Sequence, residues 1–267
     1  MSSDKEEGRR PLFRASAWVL LAATLAACGA VRNPTAAPAA VGTGEQRTVV
    51  SLTFDDGDAD NFAVAPLLEQ YGLNATWYIP SGLVGQPGYM TWDELRQLAG
   101  NGNEIGGHSL DHINVGDLHG ADLRHQVCDD RSNLMAHGFM PLSFAYPYGG
   151  YSDDARTMVD NCGYLDARTI ASGPESLPAA DAYALRAFPY VVADSNFPKL
   201  QRYVTGTRQE GGGWVILIFH HVCDGCDYFA VKPDVLSRFL RWLGQEESLQ
   251  RLQVKTVRDV MEGKATP

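Results

Sequence analysis

Two adjacent carboxylates, Asp55 and Asp56, close a run of β-forming residues (Val49, Val50, Leu52, Phe54) and are followed at once by Gly57. Side-by-side carboxylates repel, so something positive has to sit opposite them. Further along, "HSLDH" places His108 and His112 four residues apart, a spacing that lets two imidazoles face one ion from a single turn. Two neutral histidines and one carboxylate form a facial set that leaves coordination positions open for water and substrate. A cation held this way offsets one carboxylate of the pair and leaves the other free as a base. HxxxH alone carries little information; a strand-ending "DDG" elsewhere in the chain gives it weight.

The elements that position these residues alternate. "RTVVSLTF" reads as a strand, "NFAVAPLLEQYG" as an amphipathic helix ending at Gly72, and "NATWYIP" as a strand. "TWDELRQLAGNG" is a helix opening on Thr91 as N-cap with Glu94 three residues later. "NEIGGHS" then reads as a strand, "DLRHQVCDDRSNLMAHG" as a helix, "LSFAYPYG" as a strand and "SDDARTMVDNCG" as a helix. "WVILIFHH" is a buried strand and "PDVLSRFLRWLGQE" a helix. Such alternation implies an α/β fold with parallel strands, which carry their chemistry at their C-terminal ends. Asp55, Asp56, His108 and His220 all fall at such ends.

"TFDDG" at Thr53 to Gly57, "HSLDH" at His108 to His112, "AYPYG" at Ala145 to Gly149 and "LIFH" at Leu217 to His220 resemble the successive motifs of the polysaccharide deacetylases, carbohydrate esterase family four. The resemblance covers residues 47 to 262 and implies a distorted (β/α) barrel that removes acetyl groups from a carbohydrate with the help of a metal. By this resemblance Asp56, His108 and His112 hold one divalent ion, and Asp55 is the general base. Zinc is the first choice for such a ligand set, with cobalt, nickel or manganese also suited. His220 becomes the acid that protonates the departing amine, with its neighbour His221 as rival. Leu217 lines the acetyl pocket, Ser109 steadies the ligand loop, and a backbone N–H near Tyr148 helps hold the oxyanion. One position departs from the pattern: the family's third motif carries an arginine two residues before the proline, paired with the base, and here that residue is Ala145. Arg168 in "DARTI" and Arg186 in "LRAFPY" are the candidate substitutes. Arg168 is favoured because it follows the unit directly after "AYPYG".

The remainder of the chain sets the context. With 267 residues, 45% hydrophobic and 20% charged, the chain is long enough for one barrel-sized domain. A net charge of -10 without a basic tract excludes a sequence-independent grip on nucleic acid. Arg9, Arg10 and Arg14 precede the apolar run Ala15 to Ala27, which has signal-peptide length and is too short to span a bilayer. The "LAAC" ending at Cys28 resembles a bacterial lipobox, which implies lipidation of Cys28 and a membrane-anchored, exported protein. Residues 1–28 are thus expected to be a signal, 29–46 a flexible tether rich in Ala, Pro, Gly and Thr, and 47–265 the deacetylase domain, monomeric. The four remaining cysteines are even in number, and Cys128 with Cys162 and Cys223 with Cys226 is the preferred of three pairings. Tyr146, Tyr148, Tyr151 and Trp77 are candidates for stacking on sugars or for plain packing; His119, His125 and His137 match no motif and are expected to be solvated. Peptidoglycan, chitin-like chains, an exopolysaccharide and acetylated xylan all offer acetyl groups to this chemistry. An O-acetyl esterase and a silent carbohydrate-binding lipoprotein are the alternatives.

Overall fold

β1, Thr48–Phe54, is buried along its whole length, which is what a run of β-formers does when both sheet faces are covered. In the computed structural model, which describes residues 47–188 and 191–263, it is the hub of an all-parallel sheet. The expected signal, Cys28 and tether lie outside the described residues. The other strands are β2 (Thr76–Ile79), β3 (Glu104–Gly107), β4 (Ser143–Ala145), β5 (Asp166–Ser172), β6 (Leu185–Ala187), β7 (Gly213–Phe219) and the short β8 (Gln253–Val254). They run in the order β6-β5-β4-β3-β2-β1-β7, with β8 added alongside β1. The ring closes where Phe188 bridges Leu217 in parallel and its N–H donates to the Ile216 carbonyl at 2.8 Å. The result is a distorted (β/α) barrel.

Helices cover the outside: α1 (Ala65–Tyr71), α2 (Trp92–Gly100), α3 (Gly120–Arg124), α4 (Asp130–Ala136), α5 (Asp153–Asn161), α6 (Phe197–Gln209), α7 (Pro233–Ser248) and α8 (Val257–Met261). The main core lies between them and the sheet, where Leu52, Phe54, Leu217 and Phe219 meet Leu95, Leu98, Leu236, Phe239 and Leu243. The expected capping box at Thr91 is present, with both the Glu94 side chain and its N–H engaged. Trp77 belongs to this core, stacked on Phe54 at 4.4 Å, so it packs and does not meet solvent.

Three features depart from the sequence reading. The expected helix after "DDG" begins as a 3-10 turn, Ala59–Val64, before α1. The expected helix over "DLRHQVCDDRSNLMAHG" contains a π-helical turn, His125–Asp129, between α3 and α4. β5, β6 and α6 fall in a stretch where no apolar period was legible. The reason is on β5 itself: its inward residues are charged, Asp166 and Arg168, both buried.

The barrel floor is accordingly polar. Glu104 Oε2 accepts from the Thr76 hydroxyl at 2.8 Å and the Arg258 N–H at 2.9 Å. Asp166 Oδ2 accepts from the Ser143 hydroxyl at 3.0 Å. The second oxygen of each carboxyl is buried without a hydrogen-bond partner among the described residues. Burial pushes both acids above the usual carboxylate range, and the proximity of Glu104 pushes Asp166 further. A folded-state pKa above the unfolded value means that the folded protein binds more protons. Stability is then highest at low pH and is lost as pH climbs from the unfolded pKa towards the folded one. Asp166→Asn keeps the Ser143 contact and cannot ionise. Its unfolding midpoint relative to wild type should therefore rise steadily from pH 5 to pH 8 in denaturant titrations; a pH-independent difference contradicts an ionisation cost at this position.

Candidate metal centre and active site

Strand alternation sends neighbouring side chains to opposite faces, yet both aspartates reach one cavity. Asp55 continues β1 by one residue, its N–H donating to the Phe219 carbonyl at 2.9 Å, so its carboxylate inherits the inward direction. Asp56 then adopts φ 68°, a left-handed conformation uncommon outside glycine, which turns its carboxylate back over the same cavity. Ser109, His112 and Tyr148 also have positive φ, at 60°, 55° and 59°. Such conformations cost about 1–3 kcal/mol each and gather where function imposes them.

His108 follows β3 on its inward face and is buried. Its Nδ1 lies 2.8 Å from the Ala145 carbonyl. A carbonyl only accepts, so Nδ1 carries the hydrogen and Nε2 keeps its lone pair. That Nε2 sits 3.2 Å from Asp56 Oδ1, and His112 Nε2 sits 3.0 Å from the same oxygen. Ser109 Oγ accepts from the Ile113 N–H at 3.1 Å and steadies the loop between the two histidines. Asp56 Oδ1 is buried without a hydrogen-bond donor among the described residues. Three acceptor atoms converge, and only a proton or a cation makes that favourable. Burial alone would raise the Asp56 pKa; hydrogen bonds and positive charge from the two imidazoles, when protonated, outweigh it and hold the carboxyl well below its usual range, so positive charge at this point is what the carboxylate requires. The donor set fits a divalent ion of the zinc type.

Beneath it lies the second neutralisation. Arg168, 1% exposed, places Nη2 2.5 Å from Asp55 Oδ2 and lies 5.2 Å from the Tyr78 ring centroid. Ala145 and Arg168 are register partners across β4 and β5, so the guanidinium that the third motif lacks is supplied one strand over. Arg186 does not come near Asp55; its Nη2 reaches the Ser172 carbonyl.

Asp55, Asp56, His108, His112, Arg168 and His220 surround a cavity of about 190 Å³, walled by Tyr146, Tyr148, Ile170, Ile218 and Phe229. His220 points inward with Nδ1 buried and without a hydrogen-bond partner among the described residues, and burial lowers its pKa. His221 points the other way, to Asp58 at 3.4 Å and Asp60 at 3.2 Å. Of the two histidines, only His220 meets the cavity.

Residues 43–166 match the family model for polysaccharide deacetylase. The chain carries a polysaccharide deacetylase domain. It is 29% identical over 109 residues to a peptidoglycan-N-acetylglucosamine deacetylase of Bacillus cereus, covering 40% of this chain and 49% of that one. It is 26% identical over 124 residues to a chitooligosaccharide deacetylase of Azorhizobium caulinodans, covering 45% and 57%. The chain thus spans about half the length of these curated relatives. Among solved structures, a family 4 acetyl xylan esterase from Clostridium thermocellum in complex with a cobalt ion superposes with a TM-score of 0.57. That match has 20% identity and covers 82% of this chain and 93% of the other. The shared fold therefore extends past residue 166.

One expected residue of the deacetylase domain is corrected. Leu217 is fully buried in the core beneath the helices, and Ile218 takes the place by the cavity. Residues two apart on a strand share a face, so Ile218 accompanies His220 and Leu217 accompanies Phe219. Tyr148 is 67% exposed at the cavity rim, its hydroxyl 3.3 Å from His112 Nδ1. Tyr146 is buried, with the half-exposed Tyr151 stacked on it at 5.0 Å. His119 and His125 are exposed and pair with Asp154 and Asp129, while His137 stacks on Trp92 at 3.6 Å.

Two rim residues were not foreseen. Phe229 lies 5.2 Å from the His220 ring, and Tyr228, 69% exposed, packs on it edge to face. They sit on the loop that the neighbouring Cys223 and Cys226 close, with Cα atoms 5.9 Å apart. Cys128 and Cys162 are likewise paired, 5.1 Å apart at Cα. The only sequence signal was an aromatic pair among turn residues shortly after a strand-ending histidine.

Arg168→Ala strands a buried carboxylate, so chemical denaturation should show a loss of about 3–5 kcal/mol. Arg186→Ala should unfold near the wild-type midpoint. Equal losses in the two variants would contradict the pairing of Arg168 with Asp55.

Proposed function

We propose that this protein is a metal-dependent hydrolase that removes acetyl groups, N-acetyl foremost, from a polysaccharide outside the cytoplasm. The observation that carries the reading is the convergence of Asp56, His108 and His112 lone pairs beside a base already paired with an arginine. A divalent ion held by these three residues would polarise the acetyl carbonyl and lower the pKa of water. Asp55, aligned by Arg168, takes the proton of that water as its oxygen attacks the carbonyl carbon. A backbone N–H near Tyr148 steadies the resulting oxyanion. His220 gives a proton to the amine nitrogen as the C–N bond breaks, leaving acetate and a free amino sugar. Ile218 and Ile170 offer the acetyl methyl an apolar wall.

The names of the relatives support an N-acetylated amino-sugar polymer as substrate. Zinc suits the ligand set, with cobalt, nickel or manganese as substitutes. A silent binder has no physical reason to keep base, ligands and acid around one cavity. Export and anchoring through lipidated Cys28 are proposed from the sequence alone. Among the described residues no helix is long and apolar enough to cross a membrane.

Acetate release from N-acetylated chito-oligosaccharide, peptidoglycan fragments and acetylated xylan should be greatest on an N-acetylated glycan, vanish with chelator and return with zinc or cobalt. Asp55→Asn should keep its metal while kcat drops about 10²–10⁴-fold, and His112→Ala should lose metal and turnover together. Activity indifferent to chelation, or full metal content in His112→Ala, defeats the reading; preference for xylan turns it towards an O-acetyl esterase. The anchor has a separate check: wild type should partition with membranes and Cys28→Ser should not, because a diacyl group supplies two chains of apolar burial.

A further inference from the structure

We propose that Gln126 is a positioning residue that sets the shape of the His108–His112 loop and thereby the affinity of the metal centre. This rests on the metal-binding reading above. The residues between the two histidines have little of their own to hold them. The loop turns at Ser109 and His112 through left-handed backbone, a conformation that persists only when its surroundings impose it.

Gln126 supplies much of that imposition. Its backbone carbonyl accepts the Leu110 N–H at 2.9 Å. Its side chain accepts the Asp111 N–H through Oε1 at 3.0 Å and donates from Nε2 to Asp111 Oδ2 at 2.8 Å. Three hydrogen bonds from one residue, 5% exposed, thus fix two consecutive residues of the loop. Glutamine suits the place because one planar amide both accepts and donates. From the opposite side the Gly82 N–H donates to the Leu110 carbonyl at 2.8 Å. A Cβ on Gly82 would stand 2.6 Å from that oxygen and 2.8 Å from Asp111 Oδ1, so the loop is gripped between two walls.

The π-helical turn explains how a helix interior can do this. Widening the helix by one residue disrupts the regular i→i−4 ladder and releases a carbonyl for outside partners, which is why such turns recur at functional sites. The turn is braced at its C-terminal end. Cys128 within it is paired to Cys162. Asp130, just beyond it, receives the Ser81 N–H at 3.0 Å and the Tyr164 hydroxyl at 3.2 Å. Asp130 also lies directly behind the strand end that carries His108: a Cβ on Gly107 would stand 2.7 Å from its Oδ2.

The test uses zinc affinity of the folded protein, read by competition with a chromophoric chelator, alongside thermal midpoints. Gln126→Glu keeps size and the accepting oxygen but sets a carboxylate against Asp111. It should weaken zinc binding about tenfold or more, within the range seen when supports behind metal ligands are lost. Asp111→Asn keeps an acceptor for Gln126 and should stay near wild type. The double variant Asp111→Asn with Gln126→Glu reverses the polarity of the pair and should recover most of the lost affinity. Unchanged affinity in Gln126→Glu, a loss confined to the thermal midpoint, or no recovery in the double variant overturns the proposal. A wild-type protein that binds no zinc overturns the metal reading itself, which separates the two failures.

Discussion

Everything at this site depends on housing two adjacent carboxylates in one cavity. Asp55 and Asp56 are neighbours in the chain and neighbours in space, and their repulsion has to be met from two directions. Arg168 meets it from below, inside the barrel, by pairing with Asp55. The convergence of His108 and His112 on Asp56 meets it from above only when a positive charge lies between them. The two neutralisations are unequal in kind: the guanidinium is permanent, and the upper one is exchangeable. Under the proposed function that asymmetry assigns the roles: the carboxylate held by arginine accepts a proton, and the other joins the ligand set.

The backbone bears the cost of this arrangement. Of the five non-glycine residues with positive φ among those described, four line or adjoin the cavity: Asp56, Ser109, His112 and Tyr148. The strain is sustained by a well-packed outer core of β1, β7 and the helices α2 and α7. Inside the ring the packing logic is reversed. Polar and charged side chains, from Glu104 and Asp166 at the floor to Arg168 beneath the aspartates, occupy positions that an inert barrel would fill with aliphatic residues. These charges fill one side of the interior, while the inward residues Trp214, Ile216 and Ile218 of β7 form a second apolar cluster with Val49, Leu185 and Ala187.

Support for the loop between His108 and His112 comes from outside the motifs. The π-helical turn, the amide of Gln126 and the close approach of Gly82 all act on Leu110 and Asp111, which lie between His108 and His112. Tyr148 and Phe229 wall the cavity from loops that follow β4 and β7, with Tyr228 packed on Phe229.

The sequence by itself determined the parallel α/β class, the strand ends that carry Asp55, Asp56, His108 and His220, and the capped helix at Thr91. These are local properties: β-former runs, turn residues and side-chain spacing read directly along the chain. The arginine partner was legible only as a choice between Arg168 and Arg186, because cross-strand register, which sets Ala145 beside Arg168, is a relation between segments far apart in the chain. The choice of His220 over His221, and of Ile218 over Leu217, turns on which face of β7 looks inward, and an almost wholly apolar strand carries no alternation to reveal it. β5 was hidden for the opposite reason, since a strand that turns charges into a barrel lacks an apolar period, and β6 is only three residues long. Gln126 had no chemical signature, and Tyr228 and Phe229 only that of an aromatic pair shortly after a strand-ending histidine. Their parts were decided by a one-residue widening of a helix and by the path of a loop, and only the folded chain brings those to the site.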